Sequence, residues 1–348
     1  MSSFSQLTCI MSTNPPATVR YSVLDLAAVA DGHTPADTFR NSLDLARHVE
    51  RLGYTRYWVS EHHNMAGVAS SAPPVLIGYL AGGTTTLRVG SGGIMLPNHP
   101  PLVVAEQMGT LATLYPDRID LGLGRAPGTD PVASRAIRGA AAFTAPDFPG
   151  DIEQLQTYFS AENRSGQVRA IPGEGLDVPI YILGSSTESA YLAGSLGLPY
   201  AFASHFAPGQ FMAAIQRYRE NFRPSAQLKE PYVIACVNVI AAETDEEAAF
   251  LGTTLEQMML GVVSGRRKLM QPPVESMDKL WSPAEKQHVD HMLSLSFIAG
   301  RDLLGDQLAH FLRQTGVNEL MASTHLYDHA KRLESYTIFA DVLESVAV

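Results

Sequence analysis

The chain has 348 residues, 45% of them hydrophobic, and this length and composition allow a large buried core. Its 25 basic and 35 acidic side chains give a net charge of -10, which repels nucleic acid and anionic membrane surfaces. Two cysteines, Cys9 and Cys236, are too few for a disulfide framework or a cysteine-based zinc site. No apolar run reaches the roughly 18 residues that a membrane span needs. We therefore expect a cytoplasmic protein that acts on a small molecule.

Residues 1–18 form a polar leader with no basic region and no sustained apolar segment, and we predict that they are a disordered tail. From Val19 onward short apolar runs alternate with helical patterns, which indicates βα units in a single domain over residues 19–348. The first helix is predicted to begin after Thr34, with Asp37 completing a capping box.

Eight strands are predicted, each followed by a helix. In chain order they are "VRYSVLDL", "RYWVS", "LRVGSGGIML", "RIDLGLG", "PIYILG", "PYAFAS", "YVIACVNVIAA" and "NELMAST". Eight such units predict a (β/α)8 TIM barrel, with insertions after strands 4 and 7. The inserted segments, about residues 129–178 and 262–297, are irregular in sequence and are expected to shape a substrate pocket.

Unusual polar and glycine clusters follow several of these strands. They are Asp25, Glu61-His62-His63, Gly92-Gly93, Arg125 and Gly184-Ser185-Ser186. Because the carboxyl ends of barrel strands meet at one mouth, where ligands bind in this fold, the clusters predict a site there.

The string "GSSTES" at residues 184–189 opens a helix, and free N–H groups at a helix N-terminus bind phosphate. The alternative is that Ser186 or Thr187 only caps the helix. Arg125, at the end of a neighbouring strand, favours the phosphate hypothesis. The string "GLGRAPG" does not have the spacing of a dinucleotide fingerprint, and Pro127 would break the helix that such a fingerprint requires.

Two glycines in a central strand, Gly92 and Gly93, indicate either a flat ring lying against the backbone or a bulge with tight packing. The string "EHH" at residues 61–63 is compatible with an acid/base site, a hydrogen-bonded wall, or a zinc site completed by Asp25 or His99. Adjacent strand residues point to opposite sides, so we favour one histidine in the cavity and the other in the wall.

The stretches "WVSEHHN", "LRVGSGGIMLPNHPPLVVAEQMGTLATLYPDRIDLGLGRAPGTD" and "PIYILGSSTESAYLAGSLGLPYAFA" resemble the bacterial luciferase-like flavin monooxygenases. The resemblance covers about residues 19 to 345 and includes the closing "FIAGRDLLGDQLAHFLRQTGVNELM". Gly124 and Ser185 differ from luciferase itself, which has a cysteine and a glutamate there, and this argues against light emission.

This resemblance implies a barrel that holds FMN at its mouth. It implies that His62 is the catalytic histidine beside the flavin, with His63 and Glu61 behind it, and that no metal takes part. It places a cis peptide at Gly92-Gly93 under the flavin ring. The implied cofactor contacts are Leu24, Asp25, Gly92, Gly93, Arg125, Leu183, Gly184, Ser185, Ser186 and Ser189.

The activity that the resemblance implies is oxygenation of a small organic substrate by O2 and reduced FMN through a C4a-hydroperoxide. A separate flavin reductase would supply the reduced FMN, and a homodimer is expected. Two alternatives remain at this point: hydride transfer with the deazaflavin F420, and a flavin-binding protein without turnover.

Overall fold

The computed structural model describes residues 19–346, so the predicted disordered tail lies outside the described residues. Within that range the strands are β1 (Arg20–Asp25), β2 (Arg56–Val59), β3 (Arg88–Met95), β4 (Ile119–Gly124), β5 (Ile180–Gly184), β6 (Tyr200–Phe202), β7 (Val233–Ala242), β8 (Ser296–Gly300) and β9 (Glu319–Ser323). The α-helices are α1 (Pro35–Arg51), α2 (Pro73–Gly82), α3 (Pro101–Leu114), α4 (Pro131–Arg138), α5 (Phe148–Phe159), α6 (Thr187–Leu196), α7 (Phe211–Asn221), α8 (Asp245–Val263), α9 (Pro283–Met292), α10 (Arg301–Thr315) and α11 (His329–Ser345).

Eight parallel strands form a closed ring in the order β1-β2-β3-β4-β5-β6-β7-β9, and β9 pairs with β1 to close it. The predicted (β/α)8 barrel is therefore confirmed. The predicted insertions are also present: α4 and α5 lie between β4 and β5, and α8, α9 and β8 follow β7.

Two details of the insertions differ from the prediction. Residues 129–178 are not wholly irregular, because they contain α4 and α5. A further strand, β8, pairs with residues 238–242 of β7. The ten-residue β7 pairs with the three-residue β6 only over residues 233–235, so its carboxyl half projects beyond β6 and needs another hydrogen-bonding partner.

The start of α1 follows the predicted cap. The Thr34 hydroxyl accepts a hydrogen bond from the Asp37 N–H, and the Asp37 carboxylate accepts one from the Thr34 N–H. Leu45 and Val49 of this helix are fully buried against the barrel. The predicted capping box is therefore confirmed, and the apolar face of α1 packs on the barrel.

The barrel interior is filled below its mouth. Leu24, Trp58, Tyr181, Ala201, Ile234, Cys236 and Met321 form an apolar cluster inside the ring. Beneath it, the Arg56 guanidinium pairs with Asp120 at 2.7 Å and with Glu319 at 2.9 Å, and all three side chains are buried. A ligand can therefore approach the barrel axis only from the carboxyl ends of the strands. Among the described residues, no helix has the length and apolar character to cross a membrane.

Candidate active site at the barrel mouth

The floor of the mouth is apolar, and its glycines leave no space for a side chain. A Cβ added at Gly92 would lie 2.7 Å from Cδ1 of Leu24 and 3.2 Å from the Trp58 ring. A Cβ added at Gly122 would lie 2.8 Å from Cδ1 of Leu183. Leu24 and Leu183, both predicted cofactor contacts, thus flank glycine backbone on this floor.

The peptide bond between Gly92 and Gly93 is cis, as the family resemblance implied. A Cβ on Gly93 would approach the Gly122 carbonyl oxygen to 2.7 Å, and the pairing of β3 with β4 shifts register between Ser91 and Ile94. Close packing and a bulge therefore explain these glycines without a ligand, and contact with a flavin ring stays a prediction.

Glu61 is a buried carboxylate that joins the loops after β2 and β3. Its Oε1 accepts hydrogen bonds from Nε2 of His63 and of His99, both at 2.8 Å, and its Oε2 accepts one from the Met95 N–H at 2.9 Å. Burial alone would raise the pKa of Glu61, but these donors, His99 foremost, lower it. Glu61 therefore remains ionised and holds two imidazole rings in the wall, where the sequence had predicted only His63.

His62 is held differently, by backbone. Its N–H donates to the Ser70 carbonyl oxygen at 2.9 Å, and its Nδ1 lies 3.3 Å from the Gly128 carbonyl oxygen. Because a carbonyl can only accept, Nδ1 carries the proton and Nε2 keeps its lone pair. Burial lowers the pKa of His62, and nearby Arg267 lowers it further. The result is a neutral imidazole with an unprotonated Nε2.

Asp25 lies outside the mouth, in contrast to its predicted role as a cofactor contact. Its Oδ1 accepts from the Ala27 N–H and from Arg332, both at 2.8 Å. Its Oδ2 accepts from Ser42 at 2.6 Å and from the Tyr57 hydroxyl. Burial opposes ionisation, but Arg332, Ser42 and Tyr57 lower the pKa of Asp25 to about 2. Adjacent strand residues face opposite sides. Leu24 faces the barrel interior, so Asp25 faces the helices and ties β1 to α1 and α11.

The predicted phosphate site lies at the N-terminus of α6. Ser186 is the N-cap and accepts from the Ser189 N–H at 3.4 Å, so the capping alternative describes this residue. Ser189 is buried behind it, with its hydroxyl 2.9 Å from the Tyr200 hydroxyl. A Cβ on Gly184 would lie 2.1 Å from the Ser189 hydroxyl, which explains that glycine. Ser185 and Ser186 are only partly covered and are the serines nearest to solvent.

Glu188 is a residue of this site that the sequence analysis missed. Its carboxylate hydrogen-bonds to its own backbone N–H and to the Ser186 hydroxyl, and these bonds, together with the exposed Arg125 nearby, lower its pKa. The Thr187 N–H donates a hydrogen bond to the side-chain oxygen of Gln210 at 3.1 Å. Arg125 and the start of α6 therefore lie together as predicted, but a carboxylate already occupies part of the helix terminus.

The described residues contain no group of three or more histidine, cysteine, aspartate or glutamate side chains arranged to hold a metal ion. The further zinc ligands considered from the sequence, Asp25 and His99, have separate partners in Arg332 and Glu61.

Three more polar residues at strand ends were not predicted: His205 after β6, Asn238 in β7 and His325 after β9. Extending the period-two alternation of the strands beyond their apolar residues could have identified Asn238, which is two residues past Cys236.

The chain belongs to the luciferase-like monooxygenase family, whose model matches residues 19–319. A luciferase-like monooxygenase of Escherichia coli (strain K12) is 47% identical over 329 residues, which cover 94% of this chain and 98% of that protein. Two Bacillus subtilis (strain 168) proteins also match. YvbT is 52% identical over 95% of this chain and 99% of its own length. An N-acetyl-S-alkylcysteine monooxygenase is 30% identical over 93% and 98%.

Solved structures agree with this assignment. The crystal structure of apo-MsnO8 superposes with a TM-score of 0.87 at 35% identity, covering 94% of this chain and 98% of that one. The FMN complex of the oxygenating constituent of 3,6-diketocamphane monooxygenase from Pseudomonas putida has a TM-score of 0.73 at 17% identity, over 95% and 99%. An F420-dependent secondary alcohol dehydrogenase has a TM-score of 0.65 at 14% identity, over 94% and 99%. The last two similarities show the fold alone.

Proposed function

We propose that this protein is an FMN-dependent monooxygenase that uses reduced flavin and O2 to oxygenate a small organic substrate. The observation that carries the proposal is the neutral imidazole of His62, with its Nε2 lone pair available, beside an apolar floor of Leu24, Gly92 and Leu183. A base beside a flat, side-chain-poor floor suits proton transfer next to a planar ring.

The residues of the mouth fit FMN. A phosphate requires a cation and hydrogen-bond donors, which Arg125 and the hydroxyls of Ser185 and Ser186 would supply. The polar edge of the ring requires a hydrogen-bonding group, and the Ser60 hydroxyl is buried without a partner among the described residues. Glu188 opposes the phosphate, and its side chain would turn away from the α6 terminus on binding.

When bound, reduced FMN supplies the two electrons that oxygen activation needs. The protein's own residues do the rest. His62 Nε2 accepts a proton from the substrate, and Gly128 holds the ring in the required tautomer. Leu24 and Leu183 would pack on the flavin ring and exclude water. Glu61 acts as a positioning residue, since it holds His63 and His99 behind the mouth.

The test is a titration of the purified protein with FMN, riboflavin and F420, followed by oxygen uptake when a separate flavin reductase supplies reduced FMN. N-acetyl-S-alkylcysteines are the first substrates to try, because a relative's name specifies them. Mass spectrometry then looks for a product one oxygen atom heavier. Binding of F420 with no FMN affinity would support hydride transfer instead. FMN binding without product from any substrate, and without oxygen uptake, would support a flavin-binding protein.

A homodimer is part of the proposal. The outer faces of α2 and α3 expose apolar side chains, with Val75 75% and Leu114 63% accessible and Tyr79 and Val103 also exposed. Exposed apolar patches on one surface mark protein interaction sites. These two helices are in contact with each other, and a second copy of the chain would cover the exposed residues of both.

A further inference from the structure

The strand ends of β6, β7 and β9 carry polar side chains to which the proposed function assigns no role. In β7, Ile234 and Cys236 belong to the cluster inside the barrel, so Asn238, two residues further, faces the same side at the mouth. His205 follows β6, and its carbonyl oxygen lies 2.6 Å from Nδ2 of Asn238, so the two residues are neighbours. These residues therefore surround the mouth on the side away from β3 and β4.

Asn238 presents an open acceptor. Its Nδ2 lies 2.6 Å from the His205 carbonyl oxygen and 3.0 Å from the Ser296 hydroxyl. Because a carbonyl oxygen can only accept, the amide nitrogen must face it, and this fixes the orientation of the side chain. Oδ1 is then the free atom, and it is buried without a partner among the described residues.

His205 presents a second open acceptor. Its Nδ1 is buried and has no partner among the described residues. A neutral imidazole carries one N–H, and with that proton on Nε2 the Nδ1 atom is an acceptor. Burial, then His325 and His62, lower the pKa of His205 to about 3. The ring is therefore neutral and Nδ1 keeps a lone pair, while the residue as a whole stays partly exposed.

We propose that His205 Nδ1 and Asn238 Oδ1 form a subsite that accepts hydrogen bonds from an uncharged N–H or O–H group of the organic substrate, such as an amide. Buried acceptors without partners are unfavourable and rare in native proteins, which indicates that a ligand satisfies them. The subsite rests on the proposed function in one respect. The proposed flavin contacts come from β1 to β5 and the segments that follow them, so the β6, β7 and β9 side is left for the second ligand.

The experiment uses the full chain saturated with FMN and labelled with ¹⁵N-histidine. Acetamide, which carries N–H donors, is titrated against N,N-dimethylacetamide, which has none. Acetamide should shift the His205 Nδ1 resonance saturably, and dimethylacetamide should not. The exposed His288 serves as the internal reference. Equal shifts with both probes, or none with either, would overturn the subsite, and the second result would mean that water satisfies the two acceptors.

Matched variants then separate the substrate from the cofactor. His205→Phe should weaken acetamide binding, followed by saturation-transfer NMR, by about fivefold, and His205→Asn, which restores an acceptor, should recover it. FMN affinity should change less than about twofold in both variants. A loss of FMN affinity in His205→Phe with acetamide binding unchanged would place these atoms against the flavin and overturn the proposal. If the wild-type chain binds no FMN, the proposed function fails, and the acetamide titration of the flavin-free chain still decides the subsite.

Discussion

The Nδ1 atom of His62 lies 3.3 Å from the carbonyl oxygen of Gly128. Gly128 has φ +63°, and a Cβ there would approach the Glu61 carbonyl oxygen to 2.7 Å, so glycine is required at this turn. The backbone carbonyl of Gly128 therefore sets the tautomer of the proposed base. A side-chain substitution at a neighbouring position does not remove this carbonyl.

His62→Ala should leave FMN affinity nearly intact while product formation falls by about 10²- to 10⁴-fold, the range for a lost acid/base group. Oxygen should still be consumed, with peroxide released in place of product. The measurement is the ratio of product to peroxide at equal oxygen uptake. His63→Ala is the matched comparison, because His63 bonds to Glu61 in the wall and should act mainly through stability. A larger product loss in His63→Ala than in His62→Ala would reverse the two roles.

The pH profile gives an independent check on His62. Its folded pKa is below 6.5, so the basic form persists as the pH falls through 6.5. The acidic limb of kcat/KM should therefore have its midpoint below pH 6.5, and His62→Ala should lose that limb. A midpoint above 6.5 would contradict the neutral, buried imidazole.

The barrel could be predicted from the sequence because apolar strand runs alternate with helical patterns along the chain, and Thr34 and Asp37 mark the start of the first helix. Strand β8 could not, since its pairing depends on how far β7 projects beyond β6. The sequence placed Glu61, His62 and His63 after the second strand, and the structure has them there, with His63 hydrogen-bonded to Glu61. That His62 faces the cavity stays a prediction. His205 and His325 are single polar residues after short strands, and only closure of the barrel brings His205 near both His62 and His325. Asp25 was misplaced because a carboxylate at a strand end can face either layer.

Arg125→Ala should remove charge-assisted hydrogen bonds to the phosphate, worth about 1.5–3 kcal/mol, and weaken FMN binding by about 10- to 150-fold. Riboflavin lacks the phosphate and should bind the variant and the wild type alike. Quenching of flavin fluorescence measures both affinities. Equal losses for the two ligands would place the phosphate away from Arg125.

Glu188→Gln should strengthen FMN binding, because the glutamate is ionised at neutral pH and stands beside the proposed phosphate position. At an exposed site the gain should be about two- to fivefold, and it should shrink as salt is added. Riboflavin again serves as the control ligand. Unchanged FMN affinity at low salt would show that the phosphate binds beyond the reach of this carboxylate.

His325 makes stability depend on pH. Burial, and then Arg332, lower its pKa to about 4 from 6.5, so the unfolded chain takes up the proton first. The free energy of unfolding should therefore fall as the pH drops from 6.5 towards 4, by about 1.4 kcal/mol per pH unit from this residue. Urea denaturation gives the free energy of unfolding at each pH in that window. For His325→Gln, this free energy should change less steeply with pH than it does for the wild type. His288→Gln, on the exposed face of α9, is the control and should keep the wild-type slope.

Leu114→Glu should convert the proposed homodimer into a monomer, because it places a charge in the apolar surface of α2 and α3. Size-exclusion chromatography with light scattering measures the mass. Val132→Glu is the matched control, since Val132 is similarly exposed on α4, and it should leave the mass unchanged. A wild-type chain that is already monomeric at micromolar concentration would reject the dimer.

A hydrogen-bond network centred on the Glu61 carboxylate joins the segments around residues 61–64, 95–99 and 125–130. Asn98 donates to the Pro127 carbonyl oxygen at 2.9 Å, and the Thr129 hydroxyl donates to the His63 carbonyl oxygen at 2.9 Å, which completes the connection. Among the described residues, the insertion at residues 262–297 makes no hydrogen bond to this carboxylate, and it reaches the same loop through Arg267, whose Nη1 lies 3.0 Å from Sδ of Met65. The rim of the barrel thus has one part that the Glu61 hydrogen bonds tie together, which holds the proposed base, and another part outside that network. We expect that an insertion grafted from a relative would change substrate choice and leave the Glu61 network intact, as long as the residue at position 267 still lies near His62.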